Sequence, residues 1–346
     1  YKSEGRTAVV RLNLDLGATQ PRDIRWTDLV RGEMSVNTKD LGGDLVIQKA
    51  DGQVLYNFAV VIDDLEMAVT HVLRGEDHLT NTAKQIAIYQ ALGAAVPEFG
   101  HLPLIFTADK QKLSKRKHGD IAGVAKYRSE GYLPEALANY LLSTSYSPRP
   151  EHDLNCDGLF TMAEISVNFE MSGVSKSPAI YDLAKLNWFN REYMKKLSYA
   201  EFLAGIKPYL SYDLSSLGAA KSELLIDSVR NNIDKYSDIN REVDYFFDDV
   251  VLPDDLKSSL VEGKALLEKL LAEFSSFDFN SPEQIKNRIN EIGESLGLKG
   301  KKLFWPIRIA VSARTHGPDL GLVFYVLGAE RVFARLKAVS TFVYFF

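Results

Sequence analysis

The sequence predicts an α/β region followed by an all-α region, and two observations carry that division. Up to about residue 120, short runs rich in β-branched residues surround one helical segment. Their strand, strand, helix, strand order fits part of a doubly wound sheet. Beyond it, apolar residues recur at helical spacing, and several segments open on Ser, Thr or Asp. The 346 residues are about twice the ~150 typical of one domain, so two or three domains are expected.

The elements follow in order. Thr7–Leu14 partly alternates, and Asp44–Gln48 precedes the turn pair Asp51-Gly52, so both read as strands. Val54–Ile62 is a nearly unbroken apolar run closed by Asp63-Asp64, the pattern of a strand buried on both faces. Val69–Leu73 is a short strand that runs into Arg74-Gly75-Glu76-Asp77-His78. A helix is predicted from Thr80, which can cap it, to Gly93, which can end it. Leu102–Phe106 reads as a further strand, weakened by Pro103. Pro134 suits the first position of a helix through Ser145. After a loop around Ser147–Pro150, helices are predicted over 162–169, 198–209, 222–235, 259–274, 282–296, 304–313 and 320–338. Ser198 with Glu201 forms a capping-box pair.

Composition excludes several classes. Lys plus Arg number 41 against 46 Asp plus Glu, a net charge of −5, so any nucleic-acid role must rest on local patches. With 46% hydrophobic and 25% charged residues, wholesale disorder is not expected. No apolar run approaches the ~18 residues of a membrane-spanning helix. The single cysteine, Cys156, cannot form an internal disulfide or a Cys-based zinc site, and it suits a reducing compartment. Neither G-x-x-x-x-G-K-[ST] nor G-x-G-x-x-G occurs, which argues against P-loop NTPases and Rossmann dehydrogenases.

The most informative stretch is Thr107–Asp120. Five of the eight residues from Lys110 to Lys117 are basic, inside an otherwise acidic chain. After a strand of an open α/β sheet, such a loop lies at the carboxyl edge where ligands bind. Lysines there can reach phosphate oxygens and offset charge that develops as pyrophosphate leaves. Charge alone does not separate this from a solvated basic loop. Lys299-Gly300-Lys301-Lys302 poses the same choice, and a solvated helix start is the expectation there.

Order and spacing narrow the choice. Lys112-Leu113-Ser114-Lys115-Arg116 resembles the K-M-S-K-S signature of class I aminoacyl-tRNA synthetases, in the K-L-S-K-R form of glutamyl-tRNA synthetases. Tyr56–Asp64 and Leu73–His78, the latter with Gln85–Gly93, resemble segments that precede this loop in that family. Asp28–Glu33 is similar to a motif of its inserted acceptor-binding domain. Glu130–Leu137 and Asp182–Asn190 resemble its tRNA stem-contact domain. Six motifs in the family's order span nearly the whole chain.

The resemblance implies the C-terminal half of a class I Rossmann-like nucleotide-binding domain, then stem-contact and α-helical anticodon-binding domains. The expected division is 1–53 for the remainder of the inserted domain and 54–110 for the second half of the catalytic domain. Residues 111–190 would hold the signature loop and stem-contact domain, and 191–346 the anticodon-binding region. The implied reaction is ATP-dependent ligation of L-glutamate to tRNA(Glu) through glutamyl-adenylate, with Mg2+ arriving on ATP and no dedicated metal site. Neither step needs an enzyme nucleophile, so positioning and charge stabilisation should supply the catalysis.

Roles carried over by position are these. Lys115 and Lys112 are the catalytic lysines, and both contact ATP with Arg116, Ser114 and Asp77. Arg74 binds the glutamate side-chain carboxylate through its planar fork, where the alternative is a surface salt bridge to Glu76 or Asp77. Tyr56, read as beginning a strand, orients the amino acid, or merely buries its ring. His78 is expected to be structural. A helical region past residue 191 separates this family from glutaminyl enzymes of the eukaryotic type, which use β-barrels. It also argues against the shorter paralogue that lacks an anticodon region. Asn232 stands where some members carry an arginine that screens the last anticodon base, which implies a relaxed enzyme that also charges tRNA(Gln).

Departures are equally specific. None of the six histidines (71, 78, 101, 118, 152 and 316) stands in the family's H-I-G-H motif, and its Pro-Thr-Gly loop is absent too. Tyr1 aligns inside the inserted domain, so this chain alone is expected to be catalytically incomplete. The second reading is therefore a non-catalytic tRNA-binding module; coding sequence upstream of Tyr1 would separate the two. Ser340–Phe346 is aromatic where the family ends in a short amphipathic helix. A monomer is expected, in the cytoplasm or in an organelle matrix.

Overall fold

The structure, a computed structural model, describes residues 4, 7–17, 19–146 and 158–343, apart from the side chains of Lys115, Ser258, Ser259, Phe342 and Val343. Cys156, His152 and the 147–150 loop lie outside the described residues. The chain divides into two units, residues 1–123 with 138–183 and residues 124–137 with 184–346. Among the described residues no helix is long and apolar enough to cross a membrane.

The first unit is built around a four-stranded sheet in the order β3-β2-β6-β5. Its early strands are β1 (Val10–Leu12), β2 (Asp23–Asp28), β3 (Gly32–Asn37) and β4 (Leu45–Gln48). Helix α1 (Tyr56–Glu66), strand β5 (His71–Gly75), helix α2 (Leu79–Ala91) and strand β6 (Glu98–Leu102) follow. Then come β7 (Ile105–Phe106) and the short helix α3 (Lys115–His118). β2 pairs antiparallel with β3 and parallel with β6, and β6 pairs parallel with β5. The sheet therefore continues across the expected 53/54 boundary. β1 and β4 form a separate antiparallel pair. Ile24, Phe99 and Val61 pack with Ala83, Ile86, Ala87, Ile88 and Tyr89 of α2 into one buried cluster.

Val54–Ile62 is not a strand: Val54 makes an isolated bridge to Gln48, Leu55 precedes α1, and the residues from Tyr56 on lie in the helix. An unbroken apolar run does not reveal its period, and the β-branched Val60, Val61 and Ile62 favour a strand only weakly. Packing decides instead, with Val61 fully buried and Phe58 and Leu65 against the same core. Asp63 and Asp64 lie inside the helix and do not end it. Thr80 does not cap α2, because the helix grows directly out of a 3-10 turn over Glu76–His78. Leu102–Phe106 splits at Pro103, whose missing N–H cannot serve a ladder. β7 then pairs with β8 (Ala179–Ile180) in another sheet.

Helices α4 (Val124–Glu130), α5 (Pro134–Ser145), α6 (Met162–Asn168) and α7 (Leu183–Lys196) come next in the chain. The second unit continues with α8 (Tyr199–Ile206), α9 (Ala219–Val229), α10 (Ile239–Phe247), α11 (Lys257–Glu262) and α12 (Lys264–Ala272). It ends with α13 (Pro282–Ser295), α14 (Lys301–Ser312), α15 (Leu320–Leu327) and α16 (Ala329–Val343). The Ser198–Glu201 capping box forms as expected. Glycines divide two predicted helices, Gly263 between α11 and α12 and Gly328, at φ 80°, between α15 and α16. α7 and α10 were not predicted, nor were β2 and β3. The apolar core of this unit runs from Met194 to Leu336 and includes Ile226, Val243, Phe246, Ile289, Ile307 and Phe324.

Candidate active site

Parallel pairing of β5 and β6 sets Arg74 beside His101 at the carboxyl ends of both strands. The Arg74 Nε–H donates to His101 Nε2 at 3.3 Å, and Nη2 donates to Thr82 Oγ1 at 2.6 Å and Gln85 Oε1 at 2.8 Å. Gln85 in turn donates to Asn57 Oδ1 at 3.2 Å, tying α2 to α1. The guanidinium carbon sits 5.4 Å from the Phe99 ring centre. Burial lowers the Arg74 pKa, while Tyr56 and, at longer range, Asp64 oppose that shift.

Asp28, at the end of β2, lies under this group. Its Oδ2 meets His101 Nδ1 at 2.5 Å, and its Oδ1 accepts from the backbone N–H groups of Val30, Arg31 and His101 at 3.0, 2.9 and 3.1 Å. Asp28 is 2% exposed and His101 0%. Burial works to raise the Asp28 pKa, but His101 and the three backbone donors hold it below the usual carboxylate value. Burial pushes His101 down, as do the nearby Arg74 and His78, against the opposite pull of Asp28. The pair is therefore a carboxylate and a neutral ring.

The carboxylates next to Arg74 in sequence are engaged elsewhere. Glu76 takes Arg31 at 2.5 Å and the Leu104 N–H at 3.2 Å. Asp77 takes Lys112 at 2.5 Å, which lowers its pKa. The alternative of a surface salt bridge from Arg74 to Glu76 or Asp77 is thus not what forms. A Cβ at Gly75 would stand 2.6 Å from Asp77 Oδ1, the end of an exposed side chain that can move aside.

The signature loop is a tight turn. The Thr107 N–H donates to Gln111 O and the Leu113 N–H to Ile105 O, at 2.9 and 2.8 Å, with Lys110 in the left-handed region at φ 62°. Ser114 then starts a turn of helix, accepting from the His118 N–H and donating its own N–H to His118 Nδ1 at 3.2 Å. Lys115 opens α3, and its side chain lies outside the described set. Arg116 and Lys117 are exposed.

Tyr56 is the first residue of α1 and not of a strand, and it is 52% exposed, with its ring 6.1 Å from that of His78. Its hydroxyl neighbours Arg74 through electrostatic and hydrogen-bonding interaction. The structure thus brings Tyr56 and Arg74 together, and ties Lys112 to Asp77. The network that Asp28, His101, Thr82 and Gln85 build around Arg74 was not anticipated. Asp28 and Gln85 were visible only as letters inside recognised motifs, and His101 only as one of six histidines outside the H-I-G-H motif. Among the described residues, no three His, Cys, Asp or Glu side chains gather to hold a metal.

In the second unit two of the quoted motifs meet. The Tyr132 hydroxyl donates to Asn187 Oδ1 at 2.6 Å, and the Leu133 N–H to Asn190 Oδ1 at 2.8 Å. Asn187 and Asn190 donate onward to the Asp234 side chain and carbonyl, and Arg191 pairs with the same carboxylate. Gly131, at φ 82°, lets the chain pass Tyr236, whose Cβ would stand 2.5 Å from a Cβ at this position. Asn232 is exposed just beyond α9.

Comparison with known proteins places these features. Residues 1–188 match the family described as tRNA synthetases class I (E and Q), catalytic domain, and residues 180–340 match an anticodon binding domain. The glutamate–tRNA ligase of Natranaerobius thermophilus is 41% identical over 350 residues, covering 97% of this chain and 69% of that protein. The chain belongs to the glutamate–tRNA ligase family. A second glutamate–tRNA ligase, from Exiguobacterium sibiricum, is 37% identical over 98% of this chain and 70% of its own length. The crystal structure of a glutamate tRNA ligase from Elizabethkingia meningosepticum in complex with its amino acid superposes with a TM-score of 0.76 at 31% identity. That match covers 98% of this chain and 69% of the ligase chain. The class I catalytic part expected from the six motifs and the anticodon-binding part expected from the helical region are therefore those of this ligase family.

Proposed function

We propose that the protein ligates L-glutamate to tRNA(Glu) at the expense of ATP, with this chain supplying the amino-acid arginine, the signature loop and the tRNA-facing helices. One observation carries the reading. Arg74 is a half-buried cation whose hydrogen-bond partners, His101, Thr82, Gln85 and the Tyr56 hydroxyl, include no carboxylate. A carboxylate ligand completes such a site, because it returns the charge compensation that burial removed. Nη1 takes no part in the three bonds to His101, Thr82 and Gln85, so its two N–H groups are the ones offered first. The Tyr56 hydroxyl stands beside them as a second polar contact.

In the first step the glutamate α-carboxylate oxygen attacks the ATP α-phosphorus and pyrophosphate leaves. A ribose hydroxyl at the tRNA 3′ end then attacks the acyl carbon, and AMP leaves. Lys115, Lys112, Ser114 and Arg116 stabilise the charge that builds on the departing pyrophosphate, with Lys112 moving between Asp77 and phosphate oxygen. Magnesium travels with ATP, held by phosphates and water. Residues 111–190 contact the tRNA stem and 191–346 the anticodon. Exposed Asn232 leaves the last anticodon base unscreened, so tRNA(Gln) is a second substrate. The protein works as a monomer in the cytoplasm.

Glutamate-dependent ATP–pyrophosphate exchange with tRNA(Glu) present, run on the product of the complete reading frame, tests this. Exchange with glutamate but not glutamine is the expected result. Salt-sensitive tRNA binding in a filter assay without exchange would instead establish the non-catalytic module.

A further inference from the structure

The Asp28–His101 pair is buried behind Arg74, between an acceptor-only carboxylate and a donor-only guanidinium that together favour one placement of its proton. A carboxylate can only accept, so the hydrogen between Asp28 Oδ2 and His101 sits on Nδ1. A guanidinium can only donate, so His101 Nε2 must present its lone pair to the Arg74 Nε–H. The other neutral tautomer would set two acceptors 2.5 Å apart on one side and two N–H groups face to face on the other. An imidazolium would satisfy Asp28 and could donate to Thr82 Oγ1, but it would set its Nε2–H against the Arg74 Nε–H. Asp28 is itself fixed, since its second oxygen is filled by three backbone N–H groups on two strands' ends.

We propose that Asp28 and His101 are positioning residues for glutamate recognition. Asp28 locks the His101 tautomer, and His101 Nε2 then sets the rotation of the Arg74 guanidinium. Thr82 joins the two groups, because its hydroxyl oxygen accepts from Nη2 and its one hydrogen can go to His101 Nε2, 2.9 Å away, or to the His78 carbonyl at 3.2 Å. With Nε and Nη2 both held, the rotation of the fork is determined, and Nη1 is aimed without further ordering when substrate arrives. The inference rests on the reading that Arg74 meets the substrate carboxylate.

Asp28→Asn is the decisive variant. Its amide oxygen must stay on the three backbone donors, so the NH2 group faces Nδ1 and drives the ring proton to Nε2, against Arg74. The expected result is an approximately tenfold or greater rise in the KM for glutamate, with the KM for ATP and kcat changed far less. Ring 15N spectra of histidine-labelled protein should show Nδ1–H for His101 in the parent and Nε2–H in the variant, assigned with His101→Gln. That spectrum on the parent protein also serves if Asp28→Asn folds poorly. An Nε2–H tautomer in the parent, or an unchanged glutamate KM in a folded Asp28→Asn protein, would overturn the proposal. Arg74→Ala separates the two layers. If it leaves the glutamate KM unchanged, the reading of Arg74 fails, and the proposal built on it falls too. If it raises that KM while Asp28→Asn does not, only the positioning roles fail.

Discussion

The Arg74 cluster and the loop from Thr107 to His118 both present positive charge beside the same turn, yet they are held in contrasting ways. Arg74 rests on a buried network in which Asp28, His101, Thr82 and Gln85 are each hydrogen-bonded. The loop is a surface turn whose basic residues Arg116 and Lys117 are exposed and whose Lys112 pairs with a half-exposed Asp77. On the proposed roles, the contrast matches two different demands. Selecting one side-chain carboxylate needs a donor aimed in advance. Following a triphosphate from ground state to departing pyrophosphate needs charge that can move with it.

The largest effect should come from the loop. Lys115→Ala is expected to slow glutamate activation by about 10²–10³-fold, the usual cost of removing one group that stabilises transition-state charge. The glutamate KM should barely change, because Arg74 and its network are untouched. ATP–pyrophosphate exchange measured at varied glutamate would check both. Normal exchange by the variant would break the contrast, since the loop would then hold no catalytic lysine at this position.

A smaller effect should come from acid, and above the carboxylate range it should arise at the buried histidine of the network. His101 and Asp28 both have folded pKa values below their ordinary ones. The unfolded chain therefore binds more protons, and stability falls as pH drops. The His101 contribution is complete above about pH 6.5, the ordinary histidine value, and is lost below it. The Asp28 contribution is lost only below about pH 4. Asp28, Arg74 and His78 are the charged or titratable groups that act on the ring. Thermal melts from pH 8 to pH 5 should show a decline beginning near 6.5 that His101→Gln flattens. A parallel decline in both proteins would place the acid sensitivity elsewhere.

How much of this was legible beforehand differs along the same line. The signature loop is local: five basic residues within eight, in one recognisable order, named it without any fold. Arg74 was legible for the same reason. Its supports were not, because they come from β2, α2 and β6, which lie 46, 8 and 27 residues away at Asp28, Thr82 and His101. Sheet pairing brings Asp28 and His101 to Arg74 while α2 brings Thr82, and β2 itself was not anticipated. Tyr56 failed at a more elementary level. Its run of apolar residues hid whether the period was two or 3.6, and burial of Val61 against α2 settled the matter. Helical capping was more readable, since Ser198 and Glu201 are only three residues apart.

The smallest effect concerns the link between the two regions, Lys112 with Asp77. Its side chains are 45% and 39% exposed, so water screens the pair and its stability contribution should be about 0–1 kcal/mol. Lys112→Ala is accordingly expected to leave the melting temperature nearly unchanged. If Lys112 also meets ATP, the same variant should raise the KM for ATP several-fold while the glutamate KM holds. A melting temperature that drops by many degrees would mean that the pair is a structural strut. The exchange of Lys112 between carboxylate and phosphate would then have to be abandoned, because a strut of that strength could not release its lysine at each turnover.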